Sequence, residues 1–393
     1  MAYYEMEPVS THAPGGETPV EGIGLCLSGG GYRAMLFHTG VLLRLAELGY
    51  FSTENRIGKH GPMGSLMRVS SVSGGSITAG VLGLAWPALQ VDNESAEVVE
   101  NFREQVMGPI QEFASQTTFS IMSGIVAMIF SSINKSIVKV YRKKLYGTKT
   151  LQDLPDYPRF VINATNLQSG ALWRFAKPYN RDWRVGEIKN PNDRIASVVG
   201  ASSAFPPFLS PARIRYQESQ YTSNSGAELQ YPPYTTRPLL ADGGVYDNLG
   251  LEPVFKHCKT VIVSDAGGGY KPRPKVARDW ILQSYRVMQT TDNQVRSLRK
   301  RALLNSLTDG RRSGAYWSIR GDIDHYPIKD GLHCPVAKTR ELANIQTDLA
   351  AKNVTMQRRL INWGYAICDV GIRSWVEDGL PPPDRFPFED EGV

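Results

Sequence analysis

The sequence is poor in the features that announce a specialised class. Its four cysteines, Cys26, Cys258, Cys334 and Cys368, lie far apart and form no CxxC pair. That excludes a thiolate metal cluster and a disulfide scaffold, and makes a reducing, cytoplasmic compartment the default. Glycine (37) and proline (25) are raised but not periodic, so collagen-like and low-complexity readings fail. No internal repeat is present. The N-terminal MAYYEMEPVSTHAPGGETPVEG has neither a basic region nor an apolar core, so residues 1–20 read as a flexible leader and not as a secretory signal. The longest apolar-rich run, FSIMSGIVAMIFSSI at residues 119–133, includes four serines and a glycine and falls short of the roughly 18 residues of a membrane span. A one-sided charge is missing too. Lys and Arg number 44 against 38 Asp and Glu, a net +6 that suits weak attraction to anionic surfaces and not a nucleic-acid partner.

What remains is ordinary globular material of 393 residues, 41% hydrophobic and 21% charged. GIGLCL (22–27) is a short apolar run expected as a buried strand, and after SGGG the segment YRAMLFHTGVLLRLAEL (32–48) reads as a helix packed on a sheet. LMRVSSV (66–72) is the next strand, and SITAGVLGLAW (76–86) returns to helix. Further buried strands are expected at RFVINAT (159–165), PLLADGG (238–244) and KTVIVSDA (259–266), with helical periodicity over 277–304 and 339–374. This alternation predicts an α/β fold with a central, mostly parallel sheet flanked by helices. The expected organisation is one large domain over 21–375 with a helical insert or cap near 100–150. A polar, linker-like stretch at 216–238 and an acidic, Pro-rich tail at 376–393 complete it.

Residues 68–80, RVSSVSGGSITAG, crowd four serines into seven positions beside a glycine pair. A nucleophile elbow needs a strand, a sharp turn carrying the serine, and a helix, with small residues two before and two after the serine. Ser73 fits, with Ser71 at −2, Gly74 at +1 and Gly75 at +2. Ser76 has Thr78 at +2, and Ser71 has no glycine at either side. The bland alternative is a Ser/Gly-rich turn that merely caps a helix.

A second cluster, LSGGGYRAMLFHTG, puts Gly29, Gly30 and Gly31 between a strand and a helix. Consecutive backbone amides there form an anion nest, strengthened by the helix dipole and by Arg33 in the first turn. Two chemistries fit: an oxyanion hole for acyl transfer, or dinucleotide binding through Gly29-x-Gly31-x-x-Ala34. The second requires another strand ending in an acid about 20 residues on, and the next strand ends at Ser73 instead. The third piece is LLADGGVYDNLG, where an apolar strand delivers Asp242 ahead of Gly243 and Gly244. Ordinary readings of it are a type I turn or a calcium-like loop, the latter poor because Asp242, Asp247 and Asn248 lack the spacing and the closing Glu.

Taken in order, LSGGGYR, SVSGGS and LLADGGVYDN resemble the patatin-like phospholipase family, bacterial in type. The connectors FVINATNLQSGALWRF (160–175) and IASVVGASSAFPPFLSPARI (195–214) extend the resemblance to roughly residues 21–375. It implies a serine–aspartate dyad on an α/β fold that hydrolyses ester-linked acyl chains, commonly of glycerophospholipids. Carried over, Ser73 is the nucleophile, Asp242 the base, and Gly29, Gly30, Gly31 and Arg33 the oxyanion region. Ala34 and Ser71 stand where the family more often has glycine. The family includes bacterial antiphage effectors switched on by a cyclic nucleotide, and the layout here is similar. A nucleotide activator is therefore a further expectation, and an oligomer is left open.

No histidine is needed by such a dyad. His38 lies on an apolar helix and reads as a buried polar residue, while His12, His60, His257, His325 and His333 sit in no motif. A dry pocket would raise the aspartate's pKa from its reference value of about 3.9 and make it a better base. No metal or organic cofactor is implied. Beyond residue 119 the apolar run is followed by Lys135, Lys139, Arg142, Lys143 and Lys144, the order expected of a helix at an anionic lipid surface. A core helix followed by a solvated basic turn is the alternative. Beside the membrane-surface hydrolase stand two other classes, a dinucleotide-dependent enzyme and a catalytically silent lipid-binding protein.

Overall fold

The structure, a computed structural model, describes residues 18–89, 95–118, 133–207 and 209–393. The expected leader falls mostly outside them, as do residues 119–132. Strand β1 (Val20–Leu27) ends in six buried residues, which marks a strand covered on both faces. It leads into α1 (Gly31–Glu47), whose side chains are buried through Ala46. After a small hairpin, β2 (Arg56–Gly58) and β3 (Gly61–Gly64), strand β4 (Leu66–Val72) runs into α2 (Gly74–Ala85).

The main sheet is mixed. Strands β12 (Ser313–Ser318), β11 (Cys258–Asp265), β1, β4 and β5 (Arg159–Asn166) lie side by side and all parallel. An antiparallel meander, β6 (Leu172–Ala176), β7 (Tyr179–Asp182) and β8 (Gly186–Lys189), continues from β5. The chain leaves β1 through α1 towards β4, while β11 lies on the other flank of β1. That makes the carboxyl ends of β1 and β11 a switch point, where α/β sheets open a crevice.

One register matters most for the chemistry. Strand β4 is paired with β5 up to Val72 opposite Asn163. From Ala164 onward the same edge of β5 is taken by β10 (Leu239–Asp242), running the other way and ending at Asp242 opposite Ala164. Two strand ends thus meet head-on along one template.

The first helical layer is closed by α1 against α11 (Val354–Trp375), a crossing that two glycines permit. A β-carbon on Gly40 would lie 1.9 Å from the Ile361 carbonyl, and one on Gly364 equally close to that of Phe37. The helices α3 (Ser95–Phe102) and α4 (Gly108–Ala114) of the expected insert bury Phe102, Ile110 and Phe113 in the main core, so they extend the helical layer. Further along, α5 (Ile133–Tyr141) precedes β5, and α6 (Ile195–Ser202) precedes β9 (Ala212–Arg213) and β10.

Beyond β10 come α7 (Gly244–Asp247), α8 (Glu252–Phe255), the long α9 (Trp280–Thr308) and α10 (Val336–Ala343). Two segments expected as loose are tied down. In the 216–238 stretch Tyr216 stacks on Trp173 with ring centroids 6.0 Å apart and gives its hydroxyl to Asp193 at 3.1 Å. The tail docks on α11 through Asn362, which donates to the carbonyls of Phe388 and Gly392. No helix among the described residues is long and apolar enough to cross a membrane.

Candidate active site

Ser73 stands in the turn between β4 and α2 with φ 52° and ψ −118°. A non-glycine residue there stores on the order of 1–3 kcal/mol of strain and persists only if its surroundings hold it. Several contacts do. The Ser73 amide donates to Ser202 Oγ at 3.0 Å, and Ser76, one turn on, shares Ser202 Oγ at 2.9 Å and reaches Ser71 Oγ at 3.1 Å. Ser70 accepts from Asn163 at 2.9 Å. Of the four serines, Ser70, Ser71 and Ser76 are buried and Ser73 alone is partly exposed.

Asp242 ends β10 and is 3% exposed. Its backbone is fixed from three directions. The amide donates to Ala204 O at 2.8 Å, the carbonyl accepts from Thr165 Oγ1 at 2.8 Å, and the next amide, Gly243, donates to Ser202 O at 3.2 Å. Its carboxyl accepts from the Gly244 amide at 2.8 Å and lies beside Ser73 on the same cavity. Burial pushes the Asp242 pKa up to about 7, partly opposed by the Gly244 amide and the Ser73 hydroxyl and assisted by the charge of Asp292. A carboxylate in contact with a serine hydroxyl and titrating near neutrality is suited to general-base work. The head-on meeting of β4 and β10 along β5 creates this pair.

The glycine loop lies against the elbow. A β-carbon on Gly74 would sit 2.2 Å from the Gly31 carbonyl, and one on Gly29 3.2 Å from Ser73 Cβ. Gly30 and Gly31 have φ of 149° and 61°, and Gly31 tolerates no side chain because the Asp348 carbonyl would lie 2.3 Å from it. Gly75 is pressed on the Leu27 carbonyl in the same way. The four residues assigned to the oxyanion region divide here. The amides of Gly30 and Gly31 have no acceptor among the described residues, and nor does that of Gly74. The Gly29 amide is taken by the Asn248 carbonyl at 3.1 Å. Arg33 is turned away: Nε and Nη2 donate to the Ala266 carbonyl at 3.2 and 2.9 Å, and Nη1 donates to the Ile345 carbonyl. Arg33 is 2% exposed and clamps the turn after β11, so placing it in the oxyanion region needs correcting.

Ser73 and Asp242 open on one cavity of about 480 Å³, with Gly29, Gly30 and Gly31 on one wall and Phe205, Leu209 and Val245 on another. This is the size class of small-ligand sites. The α9 residues Tyr285, Met288 and Asp292 form a further wall.

The family profile of the patatin-like phospholipases matches residues 25–255, more than half of the sequence. The chain belongs to the patatin-like phospholipase family. Its mostly parallel sheet flanked by helices is the patatin-type α/β fold. Among solved structures it is similar to human GIVD cytosolic phospholipase A2, with 15% identity and a TM-score of 0.37 over 63% of this chain and 45% of that one. VipD from Legionella pneumophila shows 14% identity and a TM-score of 0.33 over 89% of this chain and 69% of that one. The chain thus spans less than half the length of the human enzyme. No curated protein matches it.

Other residues singled out in the sequence fall into place around the patatin-like core. His38 bridges Ser264 Oγ and the Ser28 carbonyl, each at 3.0 Å, and burial pushes its pKa down to about 4. It serves the sheet and not Ser73. On the far side of the glycine loop the elbow packs Gly74 against the Gly31 carbonyl. Lys135, Lys139, Arg142, Lys143 and Lys144 are exposed, while Ile137, Tyr141 and Tyr146 on the same segment are buried. The apolar run before them, residues 119–132, lies outside the described residues. Sequence reasoning missed Ser202, which grips the elbow with its hydroxyl and Gly243 with its carbonyl. Its only signal was the small-residue run GASSA (200–204) in which it lies.

Proposed function

We propose that this patatin-like hydrolase is a phospholipase A-type enzyme working through Ser73 and Asp242 on membrane glycerophospholipids. The single observation behind this reading is the strained Ser73 facing one cavity together with Asp242, a carboxyl whose burial pushes its pKa up to about 7. Ser73 Oγ attacks the ester carbonyl as Asp242 accepts its proton. The oxyanion that forms is met by the amides of Gly30, Gly31 and Gly74, donors already oriented before the reaction. Collapse breaks the ester C–O bond, and the proton on Asp242 passes to the departing lysophospholipid oxygen. Water then attacks the acyl-serine, with Asp242 again taking a proton, and the fatty acid leaves as Ser73 recovers its hydrogen.

Gly243 supports this arrangement by letting β10 close on β5, since a β-carbon there would lie 2.5 Å from the Asn163 carbonyl. Gly244 supplies the amide that orients the carboxyl. The finer role is a regulated, membrane-degrading effector of a cyclic-nucleotide-activated antiviral system, a reading drawn from the family resemblance of its motifs. The test is product analysis on phospholipid vesicles with and without cyclic nucleotides. Lysophospholipid and free fatty acid should appear with the native protein and be absent with Ser73→Ala. Vesicles left intact under every condition would refute the substrate class, and nucleotide-independent turnover would refute the regulation.

A further inference from the structure

The first turn of α9 is exposed on every side. Trp280, Ile281, Leu282 and Val287 are 77%, 60%, 57% and 59% exposed. Three consecutive apolar residues in solvent are an error in a fold unless they serve a purpose. The turn is rigidly presented, because Asp279 caps the helix by accepting from the Leu282 amide at 2.8 Å. The loop before it is strapped to the same helix. The Arg286 guanidinium lies 3.9 Å from the Tyr270 ring centroid and donates to the Lys271 carbonyl at 2.8 Å, and Tyr270 meets Thr290 at 3.0 Å.

Charge decides what such a face takes. Residues 270–286 carry Lys271, Arg273, Lys275, Arg278 and Arg286 against Asp279 alone, a net +4 of the chain's +6. A second copy docking through the same patch would oppose two like-charged faces, since a twofold contact pairs a surface with itself. The chain's own apolar segment, residues 119–132, has no acidic residue to offer these cations. An anionic bilayer supplies both partners that the face lacks, acyl chains for the apolar turn and phosphates for the cations. Position agrees. Tyr270, Lys271, Arg273, Tyr285 and Arg286 line the cavity that holds Ser73 and Asp242, and Lys271 and Arg273 are exposed at its rim.

We propose that the 270–279 loop and the first two turns of α9 are the surface by which the protein seats its cavity mouth on an anionic lipid bilayer. This rests on the reading of the protein as a phospholipase, and the test keeps the two apart. Ser73→Ala protein, which leaves vesicles intact, is sedimented with equimolar phosphatidylglycerol–phosphatidylcholine vesicles and with phosphatidylcholine alone. Binding should favour the anionic vesicles and weaken with salt. Adding Trp280→Ser, Ile281→Ser and Leu282→Ser should weaken the partition about tenfold or more. In the Ser73 background the same three changes should leave hydrolysis of a soluble short-chain ester unchanged, which shows that fold and dyad survive.

Vesicle binding that is absent in the parent protein, or unaffected by the triple substitution, would overturn the proposal. So would an oligomer that the substitution dissolves, since a second copy would then be the occupant. Equal loss on neutralising Lys135, Lys139, Arg142, Lys143 and Lys144 would move the docking face to α5. A protein that binds vesicles through α9 yet cleaves no phospholipid would sink the phospholipase reading and leave the docking surface standing.

Discussion

At the scale of single residues, the proposed dyad ties the pH behaviour to two carboxylates. Asp242 must be ionised to accept the Ser73 proton, and its pKa is pushed up to about 7. Turnover of a soluble ester should therefore rise with pH through that value and level off above it. Asp292, across the cavity on α9, contributes to the rise by its charge. Asp292→Asn should move the acidic limb of kcat/KM to lower pH, and an unmoved limb would mean that another group controls it. Ser202→Ala should cut kcat more than it raises KM, because it frees the elbow without touching the apolar walls. The elbow at Ser73 was legible from its neighbours alone, since a strand, a turn and a helix are contiguous in sequence. Arg33 misled, because a cation in a helix's first turn looks available until the carbonyls of Ala266 and Ile345, far along the chain, are seen to claim it.

At the scale of elements, the parallel strands β1, β4, β5 and β11 were readable because burial on both faces leaves uninterrupted apolar runs. The meander was not. YNRD and GEIK, the strands β7 and β8, are short and polar and carry no alternation to detect. The 216–238 segment looked like a linker for a related reason: its ordering comes from Trp173 and Asp193, which lie elsewhere in the sequence. The most consequential hidden feature is the shared edge of β5, where β4 hands over to β10 between Asn163 and Ala164. Gly74→Ala tests the contact between elbow and glycine loop. With its β-carbon 2.2 Å from the Gly31 carbonyl, the variant must separate the two backbones. Ester hydrolysis should fall by orders of magnitude, well beyond what the roughly 1–3 kcal/mol typical of overpacking would do to stability alone. Retained activity would show that the loop takes no part in the chemistry.

At the scale of the whole molecule, the proposed dyad would make Asp242 a stability cost carried for function. An aspartate that titrates near 3.8 when unfolded and near 7 when folded destabilises the fold progressively as pH rises between those values. Above pH 7 the penalty is complete, on the order of 4 kcal/mol. Asp242→Asn should therefore raise the melting temperature at pH 8 and change it little at pH 4, while removing activity at pH 8. An equal effect at the two pH values would show that Asp242 is ionised without penalty. The most direct measurement of the central claim uses the intact protein and a fluorophosphonate probe, with the modified residue located by peptide mass spectrometry. Labelling is predicted at Ser73 alone, slowed by at least about a hundredfold in Asp242→Asn and unaffected by His38→Gln. A label on Ser76, or equally fast labelling without the Asp242 carboxylate, would contradict the dyad.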